Sequence, residues 1–307
     1  MKSRLLVISL ALLMVACTKH NEKAEIDLRI HYEVNGRSLV TDSLCYENKA
    51  GNQYLITEIQ WFLSNIELKN ETSDWTLLHQ RSISDTMDVS RIFYIDTEIP
   101  ESQTLLGKEI PVGHYTALRF TFGLDETDNQ TSLFSDPPES EMFWPDVLGG
   151  GYHYMKLNGK YLDADGQLAP LAIHLGIGQN ENLSEFYHNY FIVELPIDFT
   201  VTTNAKNQLD LTMVVDNWFS NPNTIDFNEF GSGIMQNQSA QRRINGNGKD
   251  VFRIGKLDVT ENNMEKKKAD QLAEKFRNVL QKAAPKPHFW SWESVKERFE
   301  DFKISDF

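Results

Sequence analysis

Between Ala24 and Thr260, apolar residues recur at every second position, a spacing that suits β-strands with one buried face and little else. Ile26, Leu28, Ile30, Tyr32 and Val34 alternate with polar neighbours and stop at Asn35-Gly36, a tight-turn dipeptide. The same alternation runs through Leu118, Phe120, Phe122 and Leu124, and through Leu171, Ile173, Leu175 and Ile177. It returns in Phe191, Val193, Leu195 and Ile197, and again in Leu209, Leu211, Met213 and Val215. Asp165-Gly166, Asn204 to Asn207 and Asn245 to Gly248 supply turns between strands. Many short strands punctuated this way predict an all-β fold, an antiparallel β-sandwich-like domain. After Thr260 the period changes. Ala269, Leu272, Ala273, Phe276, Val279 and Leu280 form one stripe of a charged helix over 261–284. Pro285 and Pro287 end it, and an aromatic stretch with Phe289, Trp290, Trp292, Phe299, Phe302 and Phe307 follows. The expectation is a helical C-terminal appendage.

The N-terminus belongs to neither pattern. Lys2 and Arg4 precede an apolar run from Leu5 to Val15, too short for a membrane-spanning helix, which needs about 20 residues. A basic flank and a short apolar core make a secretory signal. Met14-Val15-Ala16-Cys17 resembles a lipobox, which would leave Cys17 lipidated and residues 1–16 removed. The expected organisation is a lipoprotein signal peptide at 1–16, a lipidated tether at 17–24, the β domain at 25–260 and the helical extension at 261–307. The expected location is the cell envelope, with lipid holding the chain to the outer membrane, periplasmic or surface-facing.

Losing Lys2 and Arg4 deepens by two a net charge that already stands at −14. Such a surface repels phosphate backbones, which argues against nucleic acid as a partner, and it attracts cations. With Cys17 carrying lipid, Cys45 has no partner for an internal disulfide. The signatures of common enzymes are missing: no Gly-x-Ser-x-Gly elbow, no phosphate-cradling glycine loop, no Cys-x-x-Cys and no His-Glu-x-x-His. Asp163-Ala164-Asp165-Gly166 looks like half a calcium loop but lacks the remaining ligands, so it reads as a hairpin turn.

Chemistry concentrates between Met142 and Gly178. Met142-Phe143-Trp144-Pro145 is followed by three glycines, then Tyr152-His153-Tyr154-Met155, and later His174-Leu175-Gly176. Glycines before a strand turn sharply or let a backbone approach closely. His174 shares its face with the small Ala172 and Gly176, which leaves room beside the ring. His188 opens the next strand. Imidazole and thioether donors suit copper, especially the reduced ion, and imidazole alone also suits zinc.

The sequence resembles the MbnP-like family of copper-binding proteins, named after a methanobactin-operon member, in the branch found among lipoproteins of Bacteroidetes-type bacteria. The likeness starts at His31-Tyr32-Glu33-Val34-Asn35-Gly36 and continues through Ile59-Gln60-Trp61-Phe62-Leu63-Ser64-Asn65-Ile66. Its most specific matches are Met142 to Pro145, Gly151 to Gly159 and His174-Leu175-Gly176. The resemblance implies a β-rich extracytoplasmic domain that binds copper, with histidines and kynurenine, an oxidised tryptophan, as ligands. It also implies a di-haem peroxidase-like partner that performs the oxidation. Carried onto this chain, Trp144 is the residue to be modified. His31, His153 and His174 are the ligands it implies, with His188 and Met142 behind them.

The expected function is therefore sequestration or delivery of copper, as Cu(I), without catalysis. The alternative is a metal-free ligand-binding or assembly lipoprotein beside an outer-membrane receptor, with the aromatic tail and Trp218-Phe219-Ser220-Asn221-Pro222 as contact points.

Overall fold

The computed structural model describes residues 22–78, 89–179, 185–203 and 205–255. Cys17, the signal peptide and the helix and aromatic stretch expected after Thr260 lie outside the described residues.

The described residues form eleven strands of three residues or more: β1 (Lys23–Val34), β2 (Gln53–Asn70), β3 (Trp75–Leu77), β4 (Ile92–Asp96), β5 (Thr104–Pro111), β6 (Gly113–Phe122), β7 (Met155–Leu162), β8 (Leu168–Leu175), β9 (Phe191–Val201), β10 (Asn207–Val214) and β11 (Phe252–Ile254). They form two main sheets. The larger runs β8-β7-β2-β6-β9, with β3 and β4 also paired to β2. The smaller runs β11-β10-β1, and β5 pairs with the far edge of β1. The described fold is mainly β, as the alternation predicts, with mostly antiparallel pairing and short helices.

The long strand β2 organises the larger sheet. Its first half pairs with β7 and its second with β6. Its buried apolar series, Tyr54, Ile56, Ile59, Trp61, Leu63, Ile66 and Leu68, twice slips by one residue. A slip in a period-two pattern would turn every later side chain outward unless the strand bulged. Register shifts stand at both places, between Ile56 and Glu58 and between Ser64 and Glu67.

The sheets meet through aromatic side chains. Trp61 of β2 donates its indole N–H to the Tyr32 hydroxyl of β1 at 2.9 Å, and its ring lies 5.5 Å from Phe252 of β11. Trp218 and Phe219 are fully buried in this core. Buried side chains cannot serve as contact points for a partner, so that part of the alternative reading is corrected.

Two further features depart from the sequence reading. β1 and β10 pair in parallel, Leu28 opposite Leu209 and His31 opposite Thr212. Alternation reports a strand's faces, not the direction of its neighbour. The residues Asn245 to Gly248, expected as a turn, instead close a helix. That helix, α2 (Gln238–Asn247), follows the short α1 (Phe227–Phe230). Asn237 caps α2 by accepting from the Ala240 N–H. Asn247 at its end is buried and donates to the carbonyls of Trp218 and Asn223. Tertiary hydrogen bonds hold a polar stretch in the helix, and local propensity would have released it. Asp165-Gly166 does turn between β7 and β8, with the Asp163 carboxylate accepting from the N–H groups of Asp165 and Gln167.

Candidate functional site

Of the two expectations for the three glycines, a sharp turn or a close approach, both are met, and a Cβ on Gly151 would collide with Asn129 Oδ1. Gly149, Gly150 and Gly151 have φ of 116°, 68° and 75°, a run that side chains with a Cβ rarely sustain. The coil folds Met142–Trp144 back, antiparallel to Gly151–His153. Trp144 N–H donates to the Gly151 carbonyl at 2.8 Å, and His153 N–H to the Met142 carbonyl at 2.6 Å. That brings the Trp144 and His153 rings to 4.7 Å between centroids, edge to face. β8 then supplies the third ring. It pairs with β7, Leu175 opposite Met155 and His174 opposite Lys156. The His153 and His174 rings lie 5.2 Å apart, again edge to face.

Trp144 is buried and its indole N–H donates to the Leu148 carbonyl at 3.0 Å. Its benzo edge rests on Gly176, where a Cβ would fall 2.5 Å from the ring. Only glycine leaves that space.

Each imidazole has one nitrogen committed. His153 Nδ1 lies 3.0 Å from the Met142 carbonyl, an acceptor, so Nδ1 carries the proton and Nε2 the lone pair. His174 Nε2 lies 2.9 Å from Asn158 Oδ1. The orientation of that amide follows from its other end, which points toward Glu58 Oε2 at 3.4 Å. His174 therefore donates from Nε2 and keeps its lone pair on Nδ1. His153 Nε2 is buried and has no hydrogen-bond partner among the described residues. Burial pulls His153 down to about 3 and His174 to about 4, and the nearby Lys156 ammonium pushes both the same way. Both rings are neutral lone-pair donors at any physiological pH.

Outside elements hold this arrangement. Gln241 of α2 donates to the His174 carbonyl at 2.7 Å, and Asn189 donates to the Gly176 carbonyl at 2.9 Å. Lys156 Nζ donates to the Glu141 carbonyl at 2.6 Å, just before Met142. Sequence reasoning missed Asn158, Glu58, Gln241, Asn189 and Lys156. Their role comes from strand register and helix placement, and no spacing along the chain reports it.

The other expected ligands stand elsewhere. His31 sits on β1 in the smaller sheet, its Nε2 2.8 Å from Asp210. His188 approaches the Tyr154 hydroxyl at 3.5 Å and Glu126 at 3.8 Å. Met142 is buried, and it is its backbone carbonyl that takes both His153 hydrogen bonds. Among the described residues, no three His, Cys, Asp or Glu side chains converge as a metal-holding group. What converges is a pair of imidazoles against an indole. Such a pair suits a soft cation content with few ligands better than zinc, which closes its structural sites with four.

The family model MbnP matches residues 23–237, most of the described chain and every residue of this ring cluster. The chain belongs to the MbnP family. The match ends at Asn237, just before α2 and well before β11. Among solved structures, MbnP from Methylosinus trichosporium is similar at a TM-score of 0.52 and 16% identity, covering 76% of this chain and 99% of that one. At that identity the likeness speaks for a shared MbnP fold. No curated protein matches the chain.

Proposed function

We propose that this member of the MbnP family binds copper as the cuprous ion between His153 and His174, and that it holds or hands over the ion rather than transforming a substrate. The observation that carries the reading is the buried, unpartnered Nε2 of His153 beside a second neutral imidazole. An orphaned buried acceptor costs about 1–3 kcal/mol, and a bound cation removes that cost. The Met142 carbonyl and the Asn158–Glu58 pair fix which nitrogen of each ring is free, the role that outer hydrogen bonds play around metal-bound histidines.

Trp144 forms the wall of the site. Its indole N–H only donates, and the Leu148 carbonyl takes it, so native tryptophan adds no ligand atom. Opening the ring to kynurenine would supply an amine and a carbonyl at that place. His31 and His188, each turned toward partners of its own, are not needed. In this reading Cys17 carries lipid, as in the lipoprotein branch the sequence resembles, and the domain works at the outer membrane outside the cytoplasm.

The test is competitive titration of the mature protein with cuprous ion against a chromogenic chelator. His153→Ala and His174→Ala should each weaken binding at least tenfold, while His31→Ala leaves it within about twofold, in line with ligand and non-ligand substitutions. Unchanged affinity in both ligand variants would overturn the site.

A further inference from the structure

We propose that Lys156 sets the charge preference of the imidazole pair, so that the site favours a singly charged cation over a doubly charged one. This rests on the copper reading above.

The argument is one of placement. Lys156 is directly opposite His174 across the β7–β8 ladder, so the two side chains leave the same face of the sheet as neighbours, with Cβ atoms about 5 Å apart. Its ammonium then reaches the Glu141 carbonyl at 2.6 Å. The very next carbonyl, that of Met142, receives the His153 Nδ1–H. Lys156 thus leaves the sheet beside one imidazole and ends beside the other's anchor. Facing it are the carboxylates of Glu58 and Glu141. Glu58 is turned toward Asn158, and Glu141 meets the lysine through its backbone oxygen. The lysine charge is felt at both rings, which it helps keep unprotonated.

A fixed positive charge acts on a bound ion in proportion to that ion's own charge. Whatever Lys156 costs a cuprous ion, it costs a divalent ion twice as much in free energy. Neutralising it should therefore raise zinc affinity by the square of the factor by which it raises cuprous affinity.

Three variants separate charge from tethering. Lys156→Arg keeps the charge. Lys156→Met loses the charge and the hydrogen bond. Lys156→Gln loses the charge but retains a donor for the Glu141 carbonyl. Cuprous and zinc affinities of the mature protein are measured for each, with thermal melts to confirm folding. If charge decides, Met and Gln group together, with cuprous binding up by about threefold and zinc by about tenfold, and Arg stays with the parent. If Gln groups with Arg, or if both ions shift by one common factor, Lys156 is only a tie to the Glu141 carbonyl and the proposal is wrong. The copper reading survives that result. A parent protein that binds neither ion sinks both.

Discussion

His153 and His174 each hold one ring nitrogen against a protein oxygen and leave the other free. In the folded chain they stay neutral down to about pH 3 and about pH 4, well below the ordinary 6.5. An unfolded chain takes up protons on both below 6.5, and the folded chain does not. As pH falls from 6.5 toward 4, proton uptake therefore favours unfolding, by up to about 1.4 kcal/mol per pH unit for each ring. Urea denaturation of the metal-free protein at pH 7.5 and pH 5 should show a loss that shrinks by about 1–2 kcal/mol in His174→Gln. An equal loss in parent and variant would mean the folded chain does not hold the ring neutral. At this scale the sequence was partly legible. Residue type and crowding draw attention to Trp144, His153, His174 and His188, while His31 enters through the family resemblance, which sets His188 and Met142 behind the other candidates. What separates them is the partner each ring finds across strands, and that depends on register.

At the scale of elements, alternation located β1, β6, β8, β9 and β10 because each buries one face. It could not reveal the parallel pairing of β1 with β10. It also missed α2, a helix made of Gln, Ser, Asn and Arg with only Ala240 and Ile244 as apolar anchors. That helix is held by what it touches. Gln241 is fully buried and donates to the carbonyls of both His174 and Ile234. Gln241→Ala would strand two buried acceptors and should cost about 1–3 kcal/mol. It should also weaken cuprous binding, because β8 loses its backing behind His174. Chemical denaturation and the same chelator titration read the two effects. A variant as stable and as tight as the parent would show that α2 does not support the site.

The whole molecule is acidic, at a net charge of −14, yet the rings of the imidazole pair bond the Met142 carbonyl and the Asn158 amide, with Lys156 opposite His174 on the neighbouring strand. Surface charge can draw cations toward the protein, while on the proposed reading Lys156 sets which of them the imidazole pair prefers. The proposed lipid anchor and the state of Trp144 are both read on protein taken from its native host. Intact mass of material from the native host should show acylation at Cys17 after removal of residues 1–16, and it reads ring opening of Trp144 in the same spectrum. An unprocessed or unlipidated N-terminus would refute the anchor and leave the copper proposal untouched. For the site itself, the most direct measurement is anomalous diffraction at the copper edge from crystals grown with cuprous ion. The account predicts one strong peak within bonding distance of His153 Nε2 and His174 Nδ1. A peak at His31 and Asp210, or at His188, with none between the His153 and His174 rings would contradict it.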